Sequence, residues 1–121
     1  KALIAEAGGL EPLVKLATSE SQSVQIEAIA ALANLAVNDD NEAQIATLGG
    51  LKPIIAAATA DNRELQSQAA RALRNLSVNE GNKKIIVDLD GVEALRGLVK
   101  LDDDRIRQQA YRALVNLGAD E

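Results

Sequence analysis

The chain has 121 residues and a formal net charge of −5, from 13 Lys and Arg against 18 Asp and Glu, so a general nucleic-acid-binding surface is not expected. It contains no Cys and no His, which excludes disulfides, Cys-ligated metal sites, a Cys nucleophile and the His side chain that most often acts as general acid or base. The glycine pairs at 8–9 and 49–50 lack the context of a phosphate-binding loop. The sequence therefore predicts no enzyme, no cofactor and no metal site.

The apolar composition favours an all-helical protein. Apolar residues make up 47 % of the chain, but Tyr111 is its single aromatic residue. The core must then consist of Leu, Ile, Val and Ala, and Ala is the strongest helix former. No apolar run reaches the roughly 20 residues that span a bilayer, and no signal peptide is visible. These features predict a cytoplasmic or nuclear protein with no membrane partner.

A repeat of 41 residues runs through the whole chain without a gap. Residues 1–41 and 42–82 share 18 identities at this offset, which is far more than chance supplies. We divide the single domain, 1–121, into the units 1–41, 42–82 and 83–121. The repeated positions include Gly9, Gly50 and Gly91, the prolines Pro12 and Pro53, and Asn34, Asn75 and Asn116.

Each unit is predicted to contain three helices, which the middle unit shows best. A short first helix over 41–48 has Asn41 as its N-cap and ends at the glycine pair 49–50, where glycine adopts a left-handed conformation. A second helix over 51–58 carries Pro53 in its first turn. A polar loop and a longer third helix over 64–78 follow, and the segments 38–41 and 79–82 are typical of turns.

Two features of the last unit are interpreted structurally. The run of three aspartates at 102–104 precedes its third helix, so we expect an N-terminal cap in preference to a calcium site. Tyr111 stands at the position of Ile29 and Ala70, so we expect its ring to pack and its hydroxyl to reach solvent.

These motifs resemble the armadillo repeat. The resemblance lies in the glycine pair with Leu-x-Pro at 8–12 and in Ala-x-x-Ala-Leu-x-Asn-Leu at 28–35, and it covers the whole chain. The stretch 72–79 is similar to the armadillo units of catenin-like and plant U-box proteins. The resemblance implies an all-α, right-handed superhelical solenoid of about three repeats with three helices each. Two-helix HEAT repeats are the alternative.

The resemblance also implies a binding site for an extended stretch of another protein. In this family the third helices line the concave side, and the asparagine near each third-helix end bonds the peptide backbone. A carboxamide both donates and accepts, so it could pair with a peptide N–H and C=O together. The alternative is a local hydrogen bond to the asparagine's own helix. Counting helical neighbours of the asparagines, the predicted contacts are Asn34, Asn75, Asn116, Arg71, Arg74, Arg112, Gln68, Gln109, Glu27 and Ala30.

The arginines among these contacts indicate an acidic ligand. Nuclear-import adaptors of the family carry tryptophan four residues before each asparagine, where this chain has Ala30, Arg71 and Arg112, so basic localisation signals are not the expected ligand. Arginine pairs with carboxylates in a bidentate way, as in the catenin-like situation. The alternative is that these are ordinary solvated arginines, whose surface pairs are worth about 0–1 kcal/mol.

The two ends of the stack suggest a second hypothesis. The chain starts at Lys1, inside the predicted first helix, which indicates a piece of a longer protein or an engineered array. Apolar residues at both ends match inner core positions, so molecules could stack end to end as a self-assembling scaffold. These end residues are Ile4, Leu10, Leu13, Leu16, Val99, Leu114 and Leu117.

Overall fold

The computed structural model describes residues 9–119, and within them it contains eight α-helices and no strand. The predicted first helix of the first unit lies outside this range. The all-α prediction is confirmed for the described residues. The helices are α1 (Leu10–Leu16), α2 (Gln22–Leu35), α3 (Asp39–Thr47), α4 (Leu51–Ala58), α5 (Arg63–Leu76), α6 (Glu80–Asp88), α7 (Gly91–Leu98) and α8 (Asp104–Leu117).

The long third helices α2, α5 and α8 begin at residues 22, 63 and 104 and have identical lengths of 14 residues. A polar side chain precedes each of them and accepts a hydrogen bond from a backbone N–H of the first turn, which satisfies one of the free donors there. The helix α5 begins one residue before the predicted start and ends at Leu76, two residues before the predicted end. The capping residues are Ser21, Asn62 and Asp103.

The first helices begin earlier than predicted. Asn38 and not Asn41 caps α3, since the Asn38 side chain accepts from the backbone N–H groups of Asp40 and Asn41. Asn79 caps α6 in the same way. The predicted turns at 38–41 and 79–82 are therefore mostly first helical turns. Asn41 lies inside α3, where its side chain donates to the Leu35 carbonyl over 3.0 Å.

The second helix α4 matches its predicted bounds, and the left-handed residue before it lies at Gly49, with a φ of 83°. Asp90 stands at the same place in the third repeat and takes a φ of 66°, a conformation that costs a non-glycine residue some energy. Gly50, the other glycine of the pair, has a helical φ of −74°. Its role is to permit a close approach of helices.

The core runs continuously along the stack. The middle long helix α5 packs against α2 on one side and α8 on the other, while α1, α4 and α7 pack behind them. Each repeat thereby buries its apolar face on its neighbours, as solenoids do. The largest fully buried side chains are Leu10, Ile29, Leu32, Ile45, Leu51, Ile54, Leu65, Leu73, Leu76, Ile86, Leu95 and Leu98.

A buried asparagine joins the second and third repeats. The Asn82 side chain, 2 % exposed, donates to the carbonyl of Leu76 over 3.2 Å and to that of Glu42 over 3.1 Å. Glu42 lies in the first turn of α3, the corresponding helix one repeat earlier. The single amide thus bonds backbone carbonyls of two repeats, and it is the donor to the Leu76 carbonyl at the end of α5.

We expect Asn82→Ala to lower the free energy of unfolding by about 1–3 kcal/mol, because the Leu76 carbonyl loses its side-chain donor and the bond to the Glu42 carbonyl of the preceding repeat is lost. Urea denaturation followed by circular dichroism measures this loss. Lys84→Ala is the control, since it removes only an exposed ion pair with Asp88 and should change stability by less than about 0.5 kcal/mol. Equal effects of the two changes would contradict the junction role of Asn82.

Candidate peptide-binding groove

The candidate site is a stripe of polar side chains along the long helices. Positions four, seven and eleven residues apart share one helix face, so Gln68, Arg71 and Asn75 align on α5. Arg105, Gln109, Arg112 and Asn116 align in the same way on α8. We call this surface the groove.

Three adjoining open depressions follow the groove. The first, of about 340 Å³, lies between Gln68 and Arg71 of α5 and Arg105 and Gln109 of α8. The second, of about 360 Å³, continues past Arg74, Gln109 and Arg112, and Tyr111 forms part of its wall. The third, of about 540 Å³, includes Asn75 and Asn116 at the end of the long helices. The groove therefore collects seven of the ten predicted contact residues: Gln68, Arg71, Arg74, Asn75, Gln109, Arg112 and Asn116.

The asparagines do not bond their own helices. The Asn75 side-chain N–H donates to the Ala33 carbonyl over 2.9 Å, which belongs to the preceding repeat. The Asn116 side chain donates to the Arg74 carbonyl over 3.2 Å and to the Ser77 hydroxyl over 3.0 Å. One N–H donor of Asn75 and both N–H donors of Asn116 are therefore engaged inside the protein. Within residues 9–119 the side-chain oxygens of Asn75 and Asn116 have no hydrogen-bond donor.

Asn34 differs from the other two asparagines, because Arg71 of the next repeat bonds it. The Arg71 guanidinium donates to the Asn34 side-chain oxygen over 2.7 Å, to Gln68 over 2.6 Å and to the Ala30 carbonyl over 3.4 Å. Glu27, one turn before Ala30, is exposed. Asn34 and Ala30 are thus joined to the groove through Arg71, whereas Glu27 has no bond to it.

The groove arginines have no acidic partner within the described part of the chain. Arg71, Arg74, Arg105 and Arg112 all lie farther than 4.0 Å from any carboxylate oxygen there. Arg74 instead donates to the Gln109 side chain over 3.4 Å. Outside the groove, Lys83, Lys84 and Arg107 form ion pairs, whereas Lys15, Lys52, Arg63, Arg96 and Lys100 form none within residues 9–119.

Several of those other cations form ion pairs. Lys83 pairs with Glu80 at 2.9 Å, and Arg107 pairs with Asp104. Positive charge is therefore left uncompensated in the groove of a chain that is acidic as a whole.

Comparison with known proteins establishes the family. The family described as armadillo/beta-catenin-like repeat matches residues 1–37 and 38–78. The chain belongs to the armadillo-repeat family. No curated protein matches the chain.

Solved armadillo-type structures are similar to this chain over almost its whole length. An engineered protein is 41 % identical over 96 % of this chain and 48 % of its own, with a TM-score of 0.90. A computationally designed armadillo repeat protein for modular peptide recognition is 29 % identical over 93 % of this chain and 48 % of its own, with a TM-score of 0.85. A designed armadillo repeat protein in complex with the peptide (KR)4 is 27 % identical over the same shares, with a TM-score of 0.87. The chain thus spans about half the length of these relatives.

A buried carboxylate lies at the end of this armadillo groove. Glu42, only 4 % exposed, borders the third depression beside Asn75 and Arg74. Burial, and secondly repulsion from Asp39, raises the pKa of the Glu42 carboxyl above its ordinary value. Its side chain forms no hydrogen bond or ion pair within residues 9–119.

Two predictions were made for the last armadillo repeat, an N-terminal cap from the aspartate run and packing of the Tyr111 ring, and they differ in outcome. Asp103 does cap α8 by accepting from the backbone N–H of Ile106, and no group of three or more acidic side chains in residues 9–119 is placed to hold a metal. The expected packing of Tyr111 is wrong, because its side chain is 53 % exposed, while Ile29 and Ala70 at the same position are fully buried.

Sequence reasoning missed several residues that line the groove, Arg105 and Glu42 among them, and it missed the Ser77 hydroxyl that bonds Asn116. Arg105 could have been found by extending the helical stripe one turn further back from Gln109. Helical spacing could not have found Glu42 or Ser77. Glu42 reaches the groove from α3, a first helix, and Ser77 is connected to the groove only through its hydrogen bond with the Asn116 side chain of the next repeat. None of the helices described between residues 9 and 119 combines the length and apolar composition needed to cross a membrane.

Proposed function

We propose that the armadillo groove binds an extended, acidic segment of another protein. The observation that carries this proposal is the row of four arginines, Arg71, Arg74, Arg105 and Arg112, none of which pairs with a carboxylate of the described chain. Arginine presents a planar fork of donors that matches a carboxylate. Ligand carboxylates would supply the missing partners.

The asparagines would fix the peptide backbone through their oxygens. Both N–H groups of the Asn116 amide already donate within the protein, so its side-chain oxygen is the group left to accept from a peptide N–H. Asn75 donates only once within the protein, so its side chain can still pair with a peptide N–H and C=O together. Backbone bonds of this kind do not depend on sequence, so specificity would come from the arginines.

Designed relatives support the peptide class of the ligand. One is a protein for modular peptide recognition, and another forms a complex with the peptide (KR)4. The latter peptide is basic, whereas the unpaired groove cations of this chain favour the opposite charge. The acidic preference therefore rests on the arginines of this chain alone.

The test is fluorescence anisotropy with a labelled, blocked peptide rich in glutamate. We expect Arg112→Gln to weaken binding about tenfold, or about 1.4 kcal/mol, and to flatten the dependence of affinity on salt. Arg96→Gln is the matched control, because Arg96 is exposed on α7 and lies outside the groove depressions. It should leave the affinity within about twofold of the parent protein.

Light scattering distinguishes this function from end-to-end assembly. The end positions are only partly open, since Leu10, Leu13 and Leu114 are buried and Leu16 is exposed, while Ile4 lies outside the described residues. A groove protein keeps a mass near 12.7 kDa over a hundredfold range of concentration. A mass that climbs with concentration, together with no response to Arg112→Gln, would favour the self-assembling scaffold.

A further inference from the structure

The three repeated asparagines keep different hydrogen-bonding groups available for a ligand. A carboxamide has two N–H donors and an oxygen with two lone pairs. Within residues 9–119 Asn34 uses neither N–H, and its oxygen accepts from Arg71 over 2.7 Å. Asn75 uses one N–H and Asn116 uses both. The donors left for a ligand therefore fall from the first asparagine to the third.

The partners of each asparagine fix the direction in which its amide points. A guanidinium can only donate, so the Asn34 atom that faces Arg71 is the oxygen. A carbonyl can only accept, so the Asn116 atom that faces the Arg74 carbonyl is the nitrogen. The opposite orientation of either amide would lose these hydrogen bonds. The first repeat thus has its asparagine oxygen engaged, and the third has its asparagine nitrogen engaged.

A series of side chains on α5 keeps the Asn34 oxygen engaged. Glu64 accepts from the Gln68 amide over 3.1 Å, and the Gln68 oxygen accepts from Arg71 over 2.6 Å. Arg71 also donates to the Ala30 carbonyl over 3.4 Å, which anchors the guanidinium between α2 and α5. A peptide N–H that approached the second lone pair of the Asn34 oxygen would meet this positive charge, which repels the positive end of the N–H dipole. Asn34 is therefore left to act as a donor.

The Ser77 hydroxyl leaves Asn116 to act as an acceptor. Ser77 is fully buried and donates its hydrogen to the Arg74 carbonyl over 3.0 Å, so its oxygen can only accept. It accepts one N–H of Asn116, while the other N–H is bonded to the same Arg74 carbonyl. The first repeat has Ala36 where the middle one has Ser77, so Asn75 meets no such hydroxyl and keeps one N–H.

This order of donors and acceptors distinguishes proline from the other residues of a ligand. Every residue has a backbone C=O, but proline has no backbone N–H. Opposite Asn34 a C=O is enough to form the hydrogen bond, and the extended conformation that proline favours suits a groove. Opposite Asn116 only an N–H can form the bond, so a proline there would leave the Asn116 oxygen without a peptide donor.

We propose that the groove reads the backbone of its ligand, accepting proline opposite Asn34 and excluding it opposite Asn116. Arg71 and Ser77 are the positioning residues that set this difference, because they hold the two amides in opposite orientations. The inference rests on the peptide-binding function proposed above. It adds a limit on where proline can stand in an acidic ligand.

A proline scan tests the exclusion at Asn116. The probe is a labelled acidic peptide with blocked ends and unevenly spaced glutamates, so that it binds in one register. Each residue between the glutamates is replaced in turn by alanine and by proline, and fluorescence anisotropy gives the affinity ratio of each pair. In the parent protein we expect one position at which proline binds about tenfold more weakly than alanine. Asn116→Ala should reduce that ratio to within about twofold.

Ser77→Ala tests how Asn116 is positioned. It copies Ala36 of the first repeat and releases one N–H of Asn116, which could then bond the C=O of a proline. The tenfold ratio at this position should fall to about threefold, since only one of two bonds is then lost. Thr59→Ala is the control, because this exposed hydroxyl lies outside the groove depressions, and it should keep the parent ratios.

Arg71→Met tests how Asn34 is positioned. The methionine keeps an unbranched apolar stem and removes the guanidinium, so the Asn34 oxygen becomes free to accept from a peptide N–H. A second position of the peptide should then disfavour proline by about threefold, where the parent protein shows less than a twofold effect. Adding Asn34→Ala to Arg71→Met should abolish this new discrimination. A loss of packing alone would weaken the alanine and proline peptides equally.

The outcomes separate this inference from the groove itself. If proline costs the same affinity at every position, or if neither Ser77→Ala nor Arg71→Met changes the ratios, the inference is wrong and the acidic-peptide groove stands. If neither the unsubstituted peptide nor the glutamate-rich peptide used for Arg112→Gln binds the parent protein, the groove proposal is overturned, and this inference with it. Circular dichroism shows that each variant is folded before affinities are compared.

Discussion

Gly91→Ala is expected to destabilise the protein by about 1–3 kcal/mol, although alanine is a better helix former than glycine. A Cβ atom at Gly91 would lie 2.3 Å from Cγ2 of Ile86 and 2.7 Å from the Ile86 carbonyl oxygen. The side-chain atom could move, but the carbonyl belongs to the end of α6 and is fixed by the helix. The start of α7 would therefore have to shift away from α6. Thermal and urea unfolding measure the loss.

Gly97→Ala, in the same helix, is expected to have the opposite sign. Nothing lies within 4 Å of a Cβ built at Gly97, and its φ is not positive. The alanine should stabilise the protein by about 0.5–1 kcal/mol, because glycine loses more backbone freedom in a helix. If Gly91→Ala and Gly97→Ala changed stability in the same direction, helix propensity or effects on the unfolded state would dominate at both positions. The close approach at Gly91 would then not determine which residue can stand there.

Leu73→Ala is expected to cost about 2–5 kcal/mol, a large part of the 5–15 kcal/mol that stabilises a typical domain. Leu73 is fully buried on α5, the helix that packs against both α2 and α8. Removing its side chain leaves a cavity in the middle of the stack, and the neighbouring side chains relax only partly into such a space. The midpoint of urea denaturation should fall while the protein remains folded in water.

Val87→Ala is the control for this cavity. Val87 is also an aliphatic residue of a helix, but it is 50 % exposed and lies on α6. Its truncation should change stability by less than about 0.5 kcal/mol. If Leu73→Ala lowered stability as little as Val87→Ala, the side chains around Leu73 would have to fill its cavity. That outcome would contradict the close packing described for α5.

The repeat and the helix order could be predicted from sequence because they depend on periodic patterns. The helix over 51–58 was predicted with its correct bounds, since a glycine precedes it and Pro53 fits only in a first turn. The N-cap of α3 was not, because Asn38 and Asn41 are both good capping residues. Tertiary structure decides between them, since the Asn41 side chain is drawn back to the Leu35 carbonyl.

The groove was predictable only where a single helix defines it. Arg71, Asn75, Arg112 and Asn116 follow from helical spacing, and the depressions between α5 and α8 include all four. Glu42 could not be found this way, because its place beside Asn75 depends on how a first helix meets two third helices. Spacing along one helix carries no information about such a contact.

Because the asparagine amides bond residues of the preceding repeat, one whole repeat cannot be exchanged for another without changing these hydrogen bonds. Asn116 is aimed by the Ser77 hydroxyl and the Arg74 carbonyl, both of which belong to the repeat before it. The first repeat has Ala36 where the middle one has Ser77. Transplanting a copy of the first repeat into the middle of the array would therefore keep the sequence of the final recognition helix and still alter the orientation of its asparagine. Asn116 and Arg74 lie 42 residues apart, farther than the two ends of one 41-residue repeat, so a library built from this scaffold has to vary neighbouring repeats as pairs if each asparagine is to keep the residues that orient it.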